Sequence, residues 1–438
     1  MTGSFGCGAF SPLAAVEACL AAARDAPDAF ITLTPARALA EAAASAERYA
    51  AGEPTSPLDG ICVSYKDLID CAGETTTAGS PLHAGDAPAR ADAPLVAALC
   101  RAGAICVGKT NLTEFAFSVL GWNPHFGTPD NPRVCGHVPG GSSSGAAVAV
   151  ARGACHVAIG TDTSGSVRVP AAFCGLVGFK PSPQRYPLDG TFPLAPSLDT
   201  IGLLAHHVED IAVVDGVLAR TAAAPATNLA GARFIIPQGL VTQDLAPDVE
   251  IAFARALTRL RNLGIPVAFR PVAALDAAHA AMMAHGPLVG AEAARVHADL
   301  LKAPERLARI DPNVRARLEL AARMPEDAYR ALLSTRARLC DDLVADIGDA
   351  MLLFPTVPHL APELAPLITD PALFARVNLR TLRNTMLGSF LRMPGLALPL
   401  ERGPGALPAS LLLSCAEGGD ARLLAIGCAL AEVLGQDA

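Results

Sequence analysis

The chain has 438 residues, 51% of them hydrophobic and 17% charged, a balance that supports a large core and excludes a chain kept disordered by its own charge. Its 34 Lys plus Arg against 42 Asp plus Glu give a net charge of −8 with no basic stripe, so nucleic acid is not expected as a direct partner. No apolar run reaches the ~20 residues of a membrane span, since Ala146–Ile159 is broken by Arg152, and no secretory pattern precedes Arg24; a cytoplasmic protein is expected.

In chain order, the Ala-rich stretches Pro12–Arg24 and Pro35–Ala51 read as helices and make residues 1–57 a packing segment. From 58 to 205 short apolar runs at Gly60–Tyr65, Ala104–Val107, Cys155–Ile159 and Leu176–Phe179 read as strands alternating with helices. One helix there is expected to start at an Asp92 cap with Pro94 in its first turn and to stop at Gly103. Residues 206–350 read as mostly helical, interrupted by strand Phe234–Ile236, a helix over Pro247–Leu263 and strand Val267–Phe269. The tail, 351–438, returns to strands at Met351–Phe354, Gly395–Leu400 and Ser410–Ser414 and ends in a helix over Ala421–Leu434. Strands near both ends with helices between them predict an α/β fold with one sheet running through the whole chain.

Twelve cysteines, from Cys7 to Cys428, contain no Cys-x-x-Cys pair and read as small buried hydrophobes. The ten histidines show no His-Glu-x-x-His, and Cys135 with His137 has no second pair at ligand spacing, so no metal is expected. Lys66, Lys109, Lys180 and Lys302 are the only lysines, the other thirty basic residues being arginine. Arg cannot give up its proton and Lys can, so each lysine raises a question of chemistry.

Three motifs compete for that chemistry. Gly103–Thr110 (GAICVGKT) matches the phosphate-binding loop letter for letter. That loop needs a strand before its first Gly and a backbone curl after it, whereas here Gly103 ends a helix and Ala104–Val107 is the strand. Gly141–Gly145 matches the Gly-x-Ser-x-Gly nucleophile elbow around Ser143, but the preceding Cys135–Gly140 is rich in turn residues and is no strand. The third is a constellation: Lys66 in PLDGICVSYKDLID, PGGSSSG at Pro139–Gly145, and GTDTSGSVRVPAA at Gly160–Ala172. Ser is a weak nucleophile until a base takes its proton, and a desolvated lysine amine can do so once its pKa falls from ~10.4 toward 7 to 8. Lys66 follows the apolar run Ile61–Tyr65, where desolvation is expected.

These three segments in this order resemble the amidase signature family of Ser-cisSer-Lys amidohydrolases. The likeness extends through TTTAGS (Thr75–Ser80), GKTNLTEFAF (Gly108–Phe117), GLVGFKPS (Gly175–Ser182), PLAPSLDTIG (Pro193–Gly202), FPTVPHLAP (Phe354–Pro362) and MPGLALPL (Met393–Leu400). It implies a single large domain whose central mixed β-sheet has helices on both faces. It also implies Ser166 as nucleophile, Ser142 as a bridging serine held by a cis Gly141–Ser142 bond, and Lys66 as base. Backbone N–H groups of Thr163, Ser164, Gly165 and Ser166 would form the oxyanion hole. Asp67 and Arg168 are expected as structural ion-pair members, and Ser143, with Ser144, as a hydrogen-bonding support. No cofactor is implied.

The family usually has Gly where Ser164 stands, and a side chain there is expected to alter acyl specificity. The function expected is hydrolysis of a small carboxamide to a carboxylate and ammonia or an amine. The glutaminase component of a tRNA-dependent amidotransferase, and hydrolysis of urea-like or carbamoyl substrates of the allophanate or biuret type, are the alternatives. A binding protein without activity is disfavoured by the intact Lys66, Ser142 and Ser166. The segment Thr381–Phe390 is expected to line the acyl pocket, with Arg380 or Arg383 selecting charge. Phe115, Phe117, Trp122 and Phe126 are expected to pack in the core sooner than border the pocket, and a homodimer is the default oligomer.

Overall fold

A computed structural model describes residues 11–221, 229, 231–400, 403 and 405–435. Its strands are β1 (Phe30–Leu33), β2 (Cys62–Lys66), β3 (Ile105–Thr110), β4 (Val157–Thr161), β5 (Val177–Lys180), β6 (Ile201–Ala205), β7 (Phe234–Pro237), β8 (Val267–Arg270), β9 (Met351–Pro355), β10 (Gly395–Leu400) and β11 (Ala409–Ser414). All eleven join one mixed sheet in the order β1-β3-β2-β4-β6-β5-β10-β11-β9-β7-β8.

The central strands are apolar on both faces because both faces are covered. Val63, Tyr65, Val157, Ile159, Val177, Phe179, Leu396 and Leu398 pack against helices Pro94–Arg101, Val208–Ala219, Pro247–Asn262 and Asp420–Leu434. The alternate residues Ala158, Leu204 and Ala397 face helices Ser144–Ala151 and Arg168–Cys174. Farther along that second face, Leu352 and Phe354 pack against helices Ala273–His285, Glu326–Ile347 and Pro371–Phe390.

The second face carries a floor of glycines. Gly160 pairs with Gly202 across β4 and β6, and Gly178 lies on the next strand, β5. A Cβ on Gly160 or Gly202 would stand 3.0 or 2.8 Å from Val167 Cγ2, and one on Gly178 would stand 2.5 Å from Ala171 Cβ. Only bare backbone lets the segment from Ser166 to Cys174 lie this close to the sheet.

Some expectations change. The first 57 residues are not helical throughout, because Phe30–Leu33 pairs antiparallel with β3 as β1. β6 is a strand that the apolar runs alone do not predict. β3 extends past Val107 to Thr110, which puts Lys109 inside the strand where a phosphate loop would need a curl. Asp92 is not a helix cap: Ala93 takes that position, while the Asp92 carboxylate pairs with Arg37 at 2.8 and 2.9 Å and accepts the Ala72 N–H. An ion pair to a neighbouring element outcompetes the local cap. The described cysteines are all free thiols, mostly buried, and Cys7 lies outside the described residues. No described helix is long and apolar enough to cross a membrane.

The helix Ser144–Ala151 starts against backbone: a Cβ on Gly145 would stand 2.1 Å from Ala29 O and 2.6 Å from Asn111 N. Neither atom can swing away, so Gly145→Ala is expected to destabilise the protein by ~3 kcal/mol or more, read as a fall in the urea unfolding midpoint.

Candidate active site

β2 runs between β3 and β4, parallel to both, and delivers Lys66 at its C-terminal end. In open α/β sheets such strand ends are where ligands bind. The Lys66 amine is fully buried and donates to Ser142 Oγ at 2.7 Å and Thr161 Oγ1 at 2.9 Å. Burial lowers its pKa to about 7 against the opposing pull of Asp162 and Asp199, so near neutrality a large share of the amine is uncharged.

Ser142 follows a cis Gly141–Ser142 peptide, the linkage the resemblance implied. Backbone contacts hold the segment: Gly141 N–H donates to Val119 O, and Ser142 O accepts from Thr113 N–H. The Ser143 N–H donates to Ser166 O at 3.2 Å, which ties the serine loop to the loop of residues 162–168. Ser143 Oγ donates to Thr161 O and is fully buried. It is a brace between the two segments, and no strand leads into it as an elbow would require. Among the described residues no hydrogen bond joins the hydroxyls of Ser142 and Ser166; catalytic contacts of this kind are often long in an unliganded site.

The loop of residues 162–168 is built on one buried ion pair. Arg168 donates from Nε and Nη2 to the two Asp162 oxygens at 2.9 Å, and Asp162 Oδ2 also accepts the N–H groups of Val167 and Arg168. Burial pushes the Asp162 carboxyl up, and Arg168, Lys180 and the N–H donors more than offset it, leaving its pKa lowered. Gly165 has φ of +145°, and a Cβ there would meet Thr385 Oγ1 at 2.3 Å, so this is the position that requires glycine. Ser164 has no positive φ, which removes backbone strain as an objection to its side chain. Its hydroxyl is buried without a partner.

Asp67 and Lys109 form a second buried pair at 2.6 Å. Asp67 also accepts from the Thr77 N–H and hydroxyl, and Lys109 donates to Thr75 O and Thr76 Oγ1. The lysine of the apparent phosphate loop is therefore committed to fixing the residue next to Lys66.

A cavity of about 190 Å³ opens beside Thr161 and Thr163, walled by Leu68, Leu188, Phe192 and Leu194. Its one acid, Asp199, accepts three hydrogen bonds, from Thr163 Oγ1 and from the N–H groups of Leu194 and Ala195. Phe115 stacks on Phe192 at 6.0 Å and backs this wall from the core, while Phe117 is buried elsewhere against Arg317. Trp122 packs as a partly buried core residue, and Phe126 offers its carbonyl to Asn111. Of Thr381–Phe390, Thr385 reaches Gly165, and Ser389 accepts from Arg168 at 2.8 Å. Arg380 and Arg383 instead bind the Gln243–Asp244 turn and do not line the cavity. Sequence reasoning missed Thr161, Asp162, Asp199 and Phe192; the first two stood inside the quoted Gly160–Ala172 motif and Asp199 inside PLAPSLDTIG, the third side of the site.

Cys19, Cys62 and His156 bring two sulfurs and an imidazole nitrogen within 4.8 Å of one another. The His156 Nδ1 lone pair accepts the Cys62 N–H at 3.0 Å, so the neutral ring has no free lone pair for an ion.

The buried Lys66 amine, the cis-linked Ser142 and the loop of residues 162–168 thus meet at one end of the α/β sheet. The amidase family model matches residues 14–424, and the chain belongs to that family. It is 36% identical to a 2-amino-5-chloromuconic acid deaminase from Comamonas testosteroni, covering 93% of this chain and 89% of the relative. It is 34% identical to a mandelamide hydrolase from Pseudomonas putida, covering 93% and 85%. A solved amidase structure superposes with a TM-score of 0.88 at 33% identity, covering 99% of both chains. The protein is an amidohydrolase acting on amide bonds.

Lys109→Met would strand the Asp67 carboxylate at full burial, and it is expected to destabilise the fold by ~3–5 kcal/mol in urea titration. The double variant Asp67→Asn/Lys109→Met is expected to be more stable than Lys109→Met alone, because it removes the uncompensated charge.

Proposed function

We propose that the chain is a stand-alone amidase that works through Ser166, Ser142 and Lys66. The observation that carries this reading is the 2.7 Å hydrogen bond between a fully buried lysine amine and the hydroxyl of Ser142. Neutral Lys66 takes the Ser142 proton as Ser142 takes that of Ser166, and Ser166 Oγ attacks the amide carbonyl. The negative oxygen that develops is met by backbone N–H groups of Thr163, Ser164, Gly165 and Ser166, aimed by the Arg168–Asp162 pair and by Gly165. Each such donor contributes ~10²–10³ in rate. The proton held by Lys66 returns through Ser142 to the departing nitrogen, which leaves as ammonia or an amine. Water then repeats the sequence on the ester, releasing the carboxylate and restoring Ser166.

The apolar cavity beside Thr163 supports an uncharged group on the substrate. Free glutamine carries an ammonium and a carboxylate, each needing a counter-charge, and the cavity lining offers no cation and a single acid, Asp199, which already accepts three hydrogen bonds. This favours the stand-alone amidase over the glutaminase component of an amidotransferase. Expected is a kcat/KM for an amide with an apolar acyl group at least tenfold above that for glutamine; the reverse order would return the glutaminase reading to first place.

Intact-mass labelling with a fluorophosphonate tests the site without a known substrate. One adduct on Ser166 is expected, with Lys66→Ala slowing it by ~10²–10⁴. Because the base must be unprotonated, the wild-type labelling rate is expected to rise with pH through about 7. Labelling at Ser143, or a rate indifferent to Lys66, would sink the assignment.

A further inference from the structure

Lys180 is as deeply buried as Lys66 and has no part in the chemistry above. It is 1% exposed, and among the described residues its amine makes one hydrogen bond, to Pro181 O at 2.7 Å. Burying an ammonium so sparsely partnered is unfavourable, and a chain that uses arginine for thirty of its 34 basic residues keeps a lysine here.

The strand register shows where it points. Lys180 pairs with Gly395 across β5 and β10, and partners in an antiparallel register share a face. That face is known from both sides of the pair. A Cβ on Gly395 would lie 3.4 Å from Arg168 Cδ and 3.6 Å from Nη1, and a Cβ on Gly178, in step with Lys180, would lie 3.1 Å from Val167 O. Lys180 therefore enters the space beside the Arg168–Asp162 pair, under the loop that carries Ser166. The charged groups that act on it are Arg168, Asp162, Asp420 and Arg336, and those that act on Lys66 are Asp162 and Asp199. Asp162 is common to both.

We propose that Lys180 is a positioning residue for catalysis: its amine offsets the field that the Asp162 carboxylate, kept ionised by the bidentate Arg168, casts on Lys66. This rests on the reading of Lys66 as the base of Ser166. Without a cation at 180, Asp162 acts on Lys66 with less opposition and favours its protonated form, so the base becomes available only at higher pH. Burial lowers Lys180 itself to about 7, so its charge, and with it the correction, varies across the working range of Lys66.

The test is the pH dependence of fluorophosphonate labelling at Ser166 in wild type, Lys180→Met and Lys180→Arg, with circular dichroism to confirm folding. In Lys180→Met the midpoint is expected to rise by about half a pH unit, which slows labelling about threefold on the acid side. Lys180→Arg, which keeps a cation, is expected to hold the midpoint at or below that of wild type. A folded Lys180→Met with an unmoved midpoint would show a purely structural lysine and overturn the proposal. If Lys180→Met does not fold, lysine 13Cε NMR of the wild type decides, since there are only four lysines to resolve. The Lys66 signal, assigned by its loss in Lys66→Ala, is expected to titrate more shallowly than a single ideal proton, with a Hill slope below one. A single ideal step would overturn the proposal. Wild type that fails to label at Ser166, or labels equally without Lys66, refutes the parent reading instead, so the two failures are distinct.

Discussion

The site depends on the buried pair between Arg168 and Asp162. Asp162 takes four hydrogen bonds, two from the guanidinium and two from backbone N–H groups, so one carboxylate closes the turn between β4 and the helix Arg168–Cys174. Arg168 is then fixed from the far side by Ser389 on the helix Pro371–Phe390. A segment near the C-terminus thus sets the orientation of a loop formed more than 200 positions earlier. Buried pairs of this kind are weak contributors to net stability, because desolvation offsets much of their attraction. Their value here is geometric: a bidentate guanidinium accepts one arrangement of a carboxylate, and the N–H groups of residues 163–166 inherit it.

That arrangement is possible only because the sheet beneath it is bare. Gly160, Gly202 and Gly178 lie on three neighbouring strands, and their missing side chains are the volume that Val167 and Ala171 occupy. The glycines of the Gly160–Ala172 motif therefore divide by function. Gly160 provides closeness of approach, while Gly165 provides a backbone angle that an L side chain rarely adopts, along with clearance for Thr385. The intervening Ser164 has no positive φ, so its backbone does not demand glycine.

The α/β class and nine of the eleven strands were legible because each rests on a local signal, an apolar run bounded by turn residues, and the helices on both faces were legible through the resemblance. β1 and β6 were not. Phe30–Leu33 is four residues between two Ala-rich helices, and only its pairing with β3 makes it a strand. Ile201–Ala205 begins inside the PLAPSLDTIG segment, and Gly202 interrupts its short apolar run. Lys66, Ser142 and Ser166 were proposed through resemblance, and the lysine also through its rarity among basic residues. What sequence could not supply was partnership across distance: that Asp92 answers Arg37 sooner than its own helix, that Lys109 answers Asp67, and that Arg380 and Arg383 spend their charge on Asp244 instead of a ligand. Each is a long-range choice among several available partners, and no local pattern decides it.

The use of lysine and arginine now follows one physical rule. Arg168 and Arg48 fix buried carboxylates, a task that calls for a permanent, planar charge. Lys66 and Lys180 occupy the two buried positions where burial brings an amine to about 7, a task that arginine cannot perform. Lys109 is also buried, but with a carboxylate at 2.6 Å it stays in the structural group. Lys302 is exposed and, among the described residues, pairs with Asp299. Two of the four lysines in this chain thus share Asp162 among the charges that act on them, and burial brings each to about 7, where an amine can exchange a proton near neutrality.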